Sequence, residues 1–172
     1  KDSMTKTIWK YKKPTAGFTM QDHCFKEANG FSNNSFSDSG IITAYTWWQN
    51  GIQYSSDSSP VFNFNQAGIW RVKLETKSSY GCVDSMSKNI IVHAIPKANF
   101  SFNTACENEN LLLFNLSTVK NDTIASWSWT SLKGGGMDSF MQYNLPNQDS
   151  FMVKLVVESL HQCRDSISKQ VK

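Results

Sequence analysis

The sequence predicts an all-β protein, two tandem β-sandwiches preceded by one strand of an earlier repeat. Three observations carry this. Of 172 residues, 13 % are aromatic and only 18 % charged, a balance that suits pleated, half-buried surfaces better than amphipathic helices. No stretch sustains a helical hydrophobic period. The chain also matches itself at long range, the mark of a repeat architecture.

The repeat fixes the domain boundaries. At an offset of 82, Pro14 falls on Pro96, Phe18 on Phe100, Cys24 on Cys106, Ser35 on Ser117, Ile42 on Ile124 and Trp47 on Trp129. After one net deletion the offset becomes 81, and Val72-Lys73-Leu74 falls on Val153-Lys154-Leu155, Cys82 on Cys163 and Asp84-Ser85 on Asp165-Ser166. Two homologous domains are expected, 14–95 and 96–172. Residues 1–13 fit the same register, with Asp2, Ser3, Met4, Lys6 and Ile8 on Asp84, Ser85, Met86, Lys88 and Ile90. They read as the terminal strand of a preceding repeat, which predicts a longer array with a Cys just before Lys1. A lone strand cannot bury its own face, so it is expected to be partly disordered or to borrow a partner.

Within the first repeat, strands are expected near 15–20, 28–36, 41–48, 60–64, 69–76 and 84–93, separated by turn signals at Gly51, Gly68 and "SSYG" (78–81). "WRVKLETK" alternates, placing Trp70, Val72, Leu74 and Thr76 on one face. Phe151, Val153, Leu155 and Val157 repeat the pattern in the second domain. Trp47 and Trp129 read as core residues, with Tyr45 and Trp127 beside them. Trp48 points the other way and is matched by Thr130, so the fold does not require an aromatic there. It is the candidate exposed contact residue, for a neighbouring domain or a sugar ring.

The four cysteines fall one pair per repeat at matching positions. Intradomain disulfides Cys24–Cys82 and Cys106–Cys163 are expected, each closing a loop worth up to about 4 kcal/mol of chain entropy. They imply an oxidising, extracytoplasmic compartment. Zinc ligation is the alternative. It lacks the short Cys spacing of structural zinc sites, with only His23 and His161 nearby.

These residues resemble a known family. The order Pro-x-Ala-x-Phe, Cys, "F-x-x-x-S", "I-x-x-Y-x-W", "P-x-F-x-F-x-x-x-G-x-W-x-V-x-L" and "G-C-x-D" looks like the PKD domain. This is an immunoglobulin-like β-sandwich, here in the disulfide-bearing form found in tandem in secreted proteins of Bacteroidota. The resemblance covers both repeats and the N-terminal stub. It departs at the usual W-x-F-G-D-G, where this chain has "WWQNG" (47–51) and "WTSLKGGG" (129–136). The turn glycines remain and the acidic residue does not, so no cation site is carried over, and no metal or cofactor is expected.

The resemblance implies an exported, extracellular cell-surface protein delivered by type 9 secretion. It further implies a structural or adhesive tandem repeat, as in gliding-motility adhesins. The alternative is a carbohydrate-binding or spacer region of a secreted polysaccharide-acting enzyme. It implies O-glycans at Asp-Ser/Thr followed by an apolar residue, which marks Ser3, Ser85, Thr123 and Ser166. The structural alternative for Asp-Ser is a local turn whose side chains accept hairpin backbone hydrogen bonds. Expected partners are neighbouring repeats, surface polysaccharide, or the export and gliding machinery.

Other chemistry finds little support. His23, His93 and His161 occupy non-equivalent positions, no acid–base carboxylate pair stands out, and "KGGGMD" (133–138) lacks the context of a phosphate loop and reads as a turn. The net charge is +3, and "KYKK" (10–13) is too short a basic run to indicate nucleic acid. No apolar run reaches the roughly 20 residues of a membrane-spanning helix. A non-catalytic protein is expected.

Overall fold

A computed structural model describes residues 3–27, 29–30, 32–106, 109–144 and 150–171. Among them are sixteen strands and no helix. The chain divides into two units. Unit 1 holds Lys1–Asp22, Lys26–Phe64 and Ile69–Ile91; unit 2 holds Val92–Lys172 together with His23–Phe25 and Asn65–Gly68.

The first half of the sequence supplies β1 (Phe18–Thr19), β2 (His23–Cys24), β3 (Asn29–Gly30), β4 (Ser32–Asn33), β5 (Ile42–Gln49), β6 (Ile52–Ser55), β7 (Val61–Phe62), β8 (Gly68–Ser78) and β9 (Val83–His93). In unit 1 the order β9-β8-β5-β6 makes one layer, and the short pairs β1–β4 and β3–β7 lie on the other. The layers meet at Trp47, which is fully buried with Phe62, Val72 and Leu74. Its ring stands edge-on to Phe18 at 5.3 Å and to Phe62 at 6.0 Å. Its indole N–H donates to the Asp57 carbonyl at 2.9 Å, so the one polar atom of a buried Trp is satisfied.

Strand β6 was not expected. Gln49 pairs with Ile52 across Asn50-Gly51, both with positive φ (49° and 84°), the two-residue hairpin for which Asn-Gly is the strongest local signal. Residues 3–13, expected as a strand, form none. Met4, Ile8 and Trp9 are 92, 86 and 75 % exposed, and no strand pairs with this segment to give its apolar side chains a sheet to pack on. It is held instead by Tyr11 stacked on Tyr80 at 3.6 Å and by Lys12 against Asp38. Lys1 and Asp2 lie outside the described residues.

Unit 2 contains β10 (Phe100–Phe102), β11 (Asn110–Asn115), β12 (Ile124–Ser131), β13 (Gly134–Gly136), β14 (Phe140–Asn144), β15 (Phe151–Ser159) and β16 (Arg164–Val171). A three-stranded sheet β10-β11-β14 and a four-stranded sheet β13-β12-β15-β16 enclose one core. This seven-strand division is an immunoglobulin-like sandwich. Trp129 repeats the role of Trp47, edge-on to Phe100 at 5.2 Å and donating to the Asp138 carbonyl at 2.8 Å. The alternation expected for β15 holds, with Phe151, Val153, Leu155 and Val157 all buried. "KGGGMD" is more than a turn, because its three glycines form β13 against Trp129–Ser131. A Cβ on Gly135 would meet the Trp129 carbonyl oxygen at 2.2 Å, so only glycine allows this close pairing.

The cysteine pairing differs from expectation. Cys24 bonds Cys163, and Cys82 and Cys106 are free thiols. The reason lies in β2, which leaves its own repeat's sandwich. It pairs in parallel with the end of β9, His23 with Val92 and Cys24 with His93, and belongs to unit 2. There its Cα lies 5.6 Å from that of Cys163, within disulfide reach. In place of Cys24–Cys82 and Cys106–Cys163, the bond joins one repeat's first cysteine position to the next repeat's second.

Candidate functional site

The recurrent Asp-Ser-x-Ser-Lys string is a clamp on the first strand of each sandwich. On β9 the alternation turns Asp84, Met86 and Lys88 inward and Ser85 and Ser87 outward. Asp84 Oδ2 accepts from the Ala16 amide at 2.8 Å, and Lys88 Nζ donates to the Phe18 carbonyl at 2.7 Å while standing 5.2 Å over the Phe18 ring. In unit 2, Asp165 Oδ2 accepts from the Ala98 amide at 2.8 Å, and Lys169 donates to the Phe100 carbonyl and lies 4.9 Å over its ring. The matched serines complete the seam: Ser35 Oγ accepts from Gly17 N at 3.0 Å and Ser117 Oγ from Asn99 N at 3.0 Å. The partners of the aspartates are 68 and 67 residues away, so the motif serves tertiary docking, not the local turn weighed from sequence.

Of the residues marked for glycosylation, Ser3, Ser85, Thr123 and Ser166 are all exposed. The alternation that turns the clamp aspartates inward is what turns Ser85 and Ser166 to solvent.

Trp48 lies in a recess of about 580 Å³ in unit 1 with Asn50, Gly51, Arg71, Lys73 and Ser87. Its ring is half-buried, not fully exposed, because Lys73 Nζ stands 4.6 Å from the ring centroid and also reaches Glu75 Oε2 at 3.2 Å. A cation over an indole face is favourable, and it occupies surface that a stacking sugar would use. Arg71 makes the remaining rim basic.

A second polar cluster lies in unit 2. His161 Nδ1 is 3.1 Å from Asp122 Oδ2, and the His161 ring stacks on His93 at 3.8 Å. Burial alone would raise the Asp122 carboxyl. The Thr123 amide, the His161 imidazole and the Ser159 hydroxyl outweigh it and hold the group at about 2. Ser159 is 1 % exposed, so this trio does not present the accessible hydroxyl that acyl transfer uses. The pairing of His161 with Asp122 and His93 was not anticipated, since His93 and His161 match no histidine in the other repeat. Among the described residues, no group of three or more His, Cys, Asp and Glu could hold a metal ion.

No protein-family model and no curated protein matches the chain. Solved structures that are similar include the PKD1 domain of Vibrio anguillarum Epp, 23 % identical with a TM-score of 0.44, covering 48 % of this chain and 96 % of that one. The PKD1 domain of the Vibrio cholerae metalloprotease PrtV is 25 % identical with a TM-score of 0.44, covering 47 % and 98 %. The fibronectin(III)-like modules of Clostridium thermocellum CbhA are 11 % identical with a TM-score of 0.47, covering 91 % and 92 %.

Proposed function

We propose that this chain is a pair of non-catalytic, load-bearing modules of an exported, extracellular surface protein built from a tandem array of such repeats. The observation that carries the reading is the Cys24–Cys163 disulfide, whose cysteines are 139 residues apart in a 172-residue chain. Tension applied to the two chain ends passes through this bond, so nearly everything between the cysteines is covalently shielded from extension. The Asp–Lys clamps hold the first strand of each sandwich against the last, the seam that end-to-end pulling loads most directly. Both devices suit a spacer or adhesive stalk of the gliding-motility type. The exposed Ser3, Ser85, Thr123 and Ser166 would carry glycans outward without disturbing either seam.

A second reading, a carbohydrate-binding accessory region, rests on the recess around Trp48, where a sugar would have to displace Lys73 from the ring. The two are separated by titrating the purified protein with oligosaccharides and polysaccharides at millimolar sugar, using Trp fluorescence and a glycan array. No binding is the result the load-bearing reading predicts. Saturable binding abolished by Trp48→Ala would replace it with the second reading.

A further inference from the structure

Unit 2 shows how a cysteine-bearing strand from the preceding repeat is received. β2 lies along the end of β9, the Phe25 amide donates to the His93 carbonyl at 2.8 Å, and Cys24 bonds Cys163 in the β15–β16 turn. His93 stacks on His161 beside that bond, ring centroids 3.8 Å apart at 12°.

Unit 1 carries the equivalent turn and an equivalent stacked ring pair, although Lys10 and Tyr11, which match Val92 and His93, form no strand. At the repeat offsets, Tyr11 takes the place of His93 and Tyr80 that of His161, and the two stack at 3.6 Å and 6°. Cys82 takes the place of Cys163 in a turn closed by the same bonds. Ser78 N donates to the Cys82 carbonyl at 2.9 Å, and Ser159 N to the Cys163 carbonyl at 2.9 Å. Residues Gly81 and Gln162 share a positive φ, 77° and 65°. The cysteine equivalent to Cys24 is Cys106, an exposed free thiol outside any strand. The chain therefore carries one cysteine-bearing segment of the docking kind and one receiving turn, both unbonded.

From this matching we propose that Cys82 and Cys106 are the two ends of a repeat-to-repeat disulfide ladder. The Tyr11–Tyr80–Cys82 face receives the Cys106 segment of another copy of this repeat pair, and a Cys82–Cys106 bond seals it as Cys24–Cys163 seals unit 2. The oxidant is a small disulfide such as oxidised glutathione. The Cys106 thiolate attacks one of its sulfurs, forming a mixed disulfide and releasing one glutathione thiolate. The Cys82 thiolate then attacks the Cys106 sulfur and releases the second, so two protein thiols are oxidised as one glutathione disulfide is reduced to two thiols. The inference rests on the tandem-array reading, and makes the array a covalent chain of cross-bonds parallel to its backbone.

The test equilibrates the full 172-residue protein in a glutathione redox buffer, followed by non-reducing electrophoresis and peptide mapping. The expected result is a concentration-dependent ladder of head-to-tail oligomers linked only by Cys82–Cys106, with Cys24–Cys163 retained inside every copy. Cys82→Ser alone and Cys106→Ser alone each remain monomeric. Mixed together they stop at the dimer, since each supplies one half of the joint. Monomers with both thiols free would overturn the proposal, as would Cys106–Cys106 or Cys82–Cys82 links in the single variants. The same digest keeps the two claims apart: Cys24–Cys163 present without an interchain link overturns the ladder alone, whereas Cys24–Cys82 with Cys106–Cys163 overturns the load-bearing reading as well.

Discussion

Replacing Asp165 with Ala should unlock the first strand of unit 2. Its carboxylate accepts the Ala98 amide at 2.8 Å, and Ala98 is only 5 % exposed. The substitution leaves that amide without an acceptor in a place water reaches poorly. Losing a charge-assisted bond of this kind costs about 2 kcal/mol. For a domain of 60–100 residues each kcal/mol lowers Tm by about 4–8 °C, so the unit 2 transition should fall by about 8–16 °C. Differential scanning calorimetry on the oxidised protein reads this directly. Asp84→Ala is the matched experiment on unit 1, where the carboxylate accepts from Ala16, and it should lower the other transition instead. Asp165→Asn retains an acceptor oxygen and should cost less than half as much. A fall of under about 2 °C in Asp165→Ala would refute the clamp as the reason the string recurs.

Three further outcomes follow from local geometry. Asp122 is held at about 2 against an ordinary 3.8; a depressed carboxyl stabilises the fold fully above its unfolded value and loses that contribution as pH falls through about 2. The urea midpoint of the wild type should therefore converge on that of Asp122→Asn between pH 4 and pH 2, and a constant gap would contradict the assignment. Gly135→Ala brings a Cβ to 2.2 Å from the Trp129 carbonyl oxygen and should cost about 1–3 kcal/mol by forcing β13 off β12, visible as a lowered midpoint. Intact mass of the protein purified from its native host should exceed that of the bare sequence by glycan increments, mapping to Ser3, Ser85, Thr123 or Ser166; the bare mass would exclude modification at all four.

Much of this architecture was legible because it is periodic. The 82-residue offset placed Trp47 and Trp129 as equivalent core residues, and the two-residue alternation of β8 and β15 gave their buried faces. The Asn50-Gly51 hairpin was equally legible but was read only as punctuation, and with it went β6. The disulfide was not legible in the same way. Spacing shows which cysteines are equivalent, but pairing depends on where β2 travels. That is decided by its parallel contact with the end of β9, a two-residue strand with no periodic signature. The clamp was hidden for a related reason. A half-buried Asp next to an outward Ser looks like turn chemistry until the partner amide, nearly 70 residues away, is located. Trp48 was expected to be exposed and is half-buried, because the Lys73 ammonium over its ring could not be foreseen from a residue 25 positions on.

The load-bearing account stands or falls on how far the protein extends when pulled from its ends. With Cys24 bonded to Cys163, only the roughly 33 residues outside the bond can unravel, a contour length of about 12 nm at about 3.6 Å per residue. Single-molecule force spectroscopy should give that value under oxidising conditions and about 62 nm once a reductant opens the bond. A length of about 20 nm would mean that each repeat closes its own disulfide. The same full extension with and without reductant would contradict the account outright.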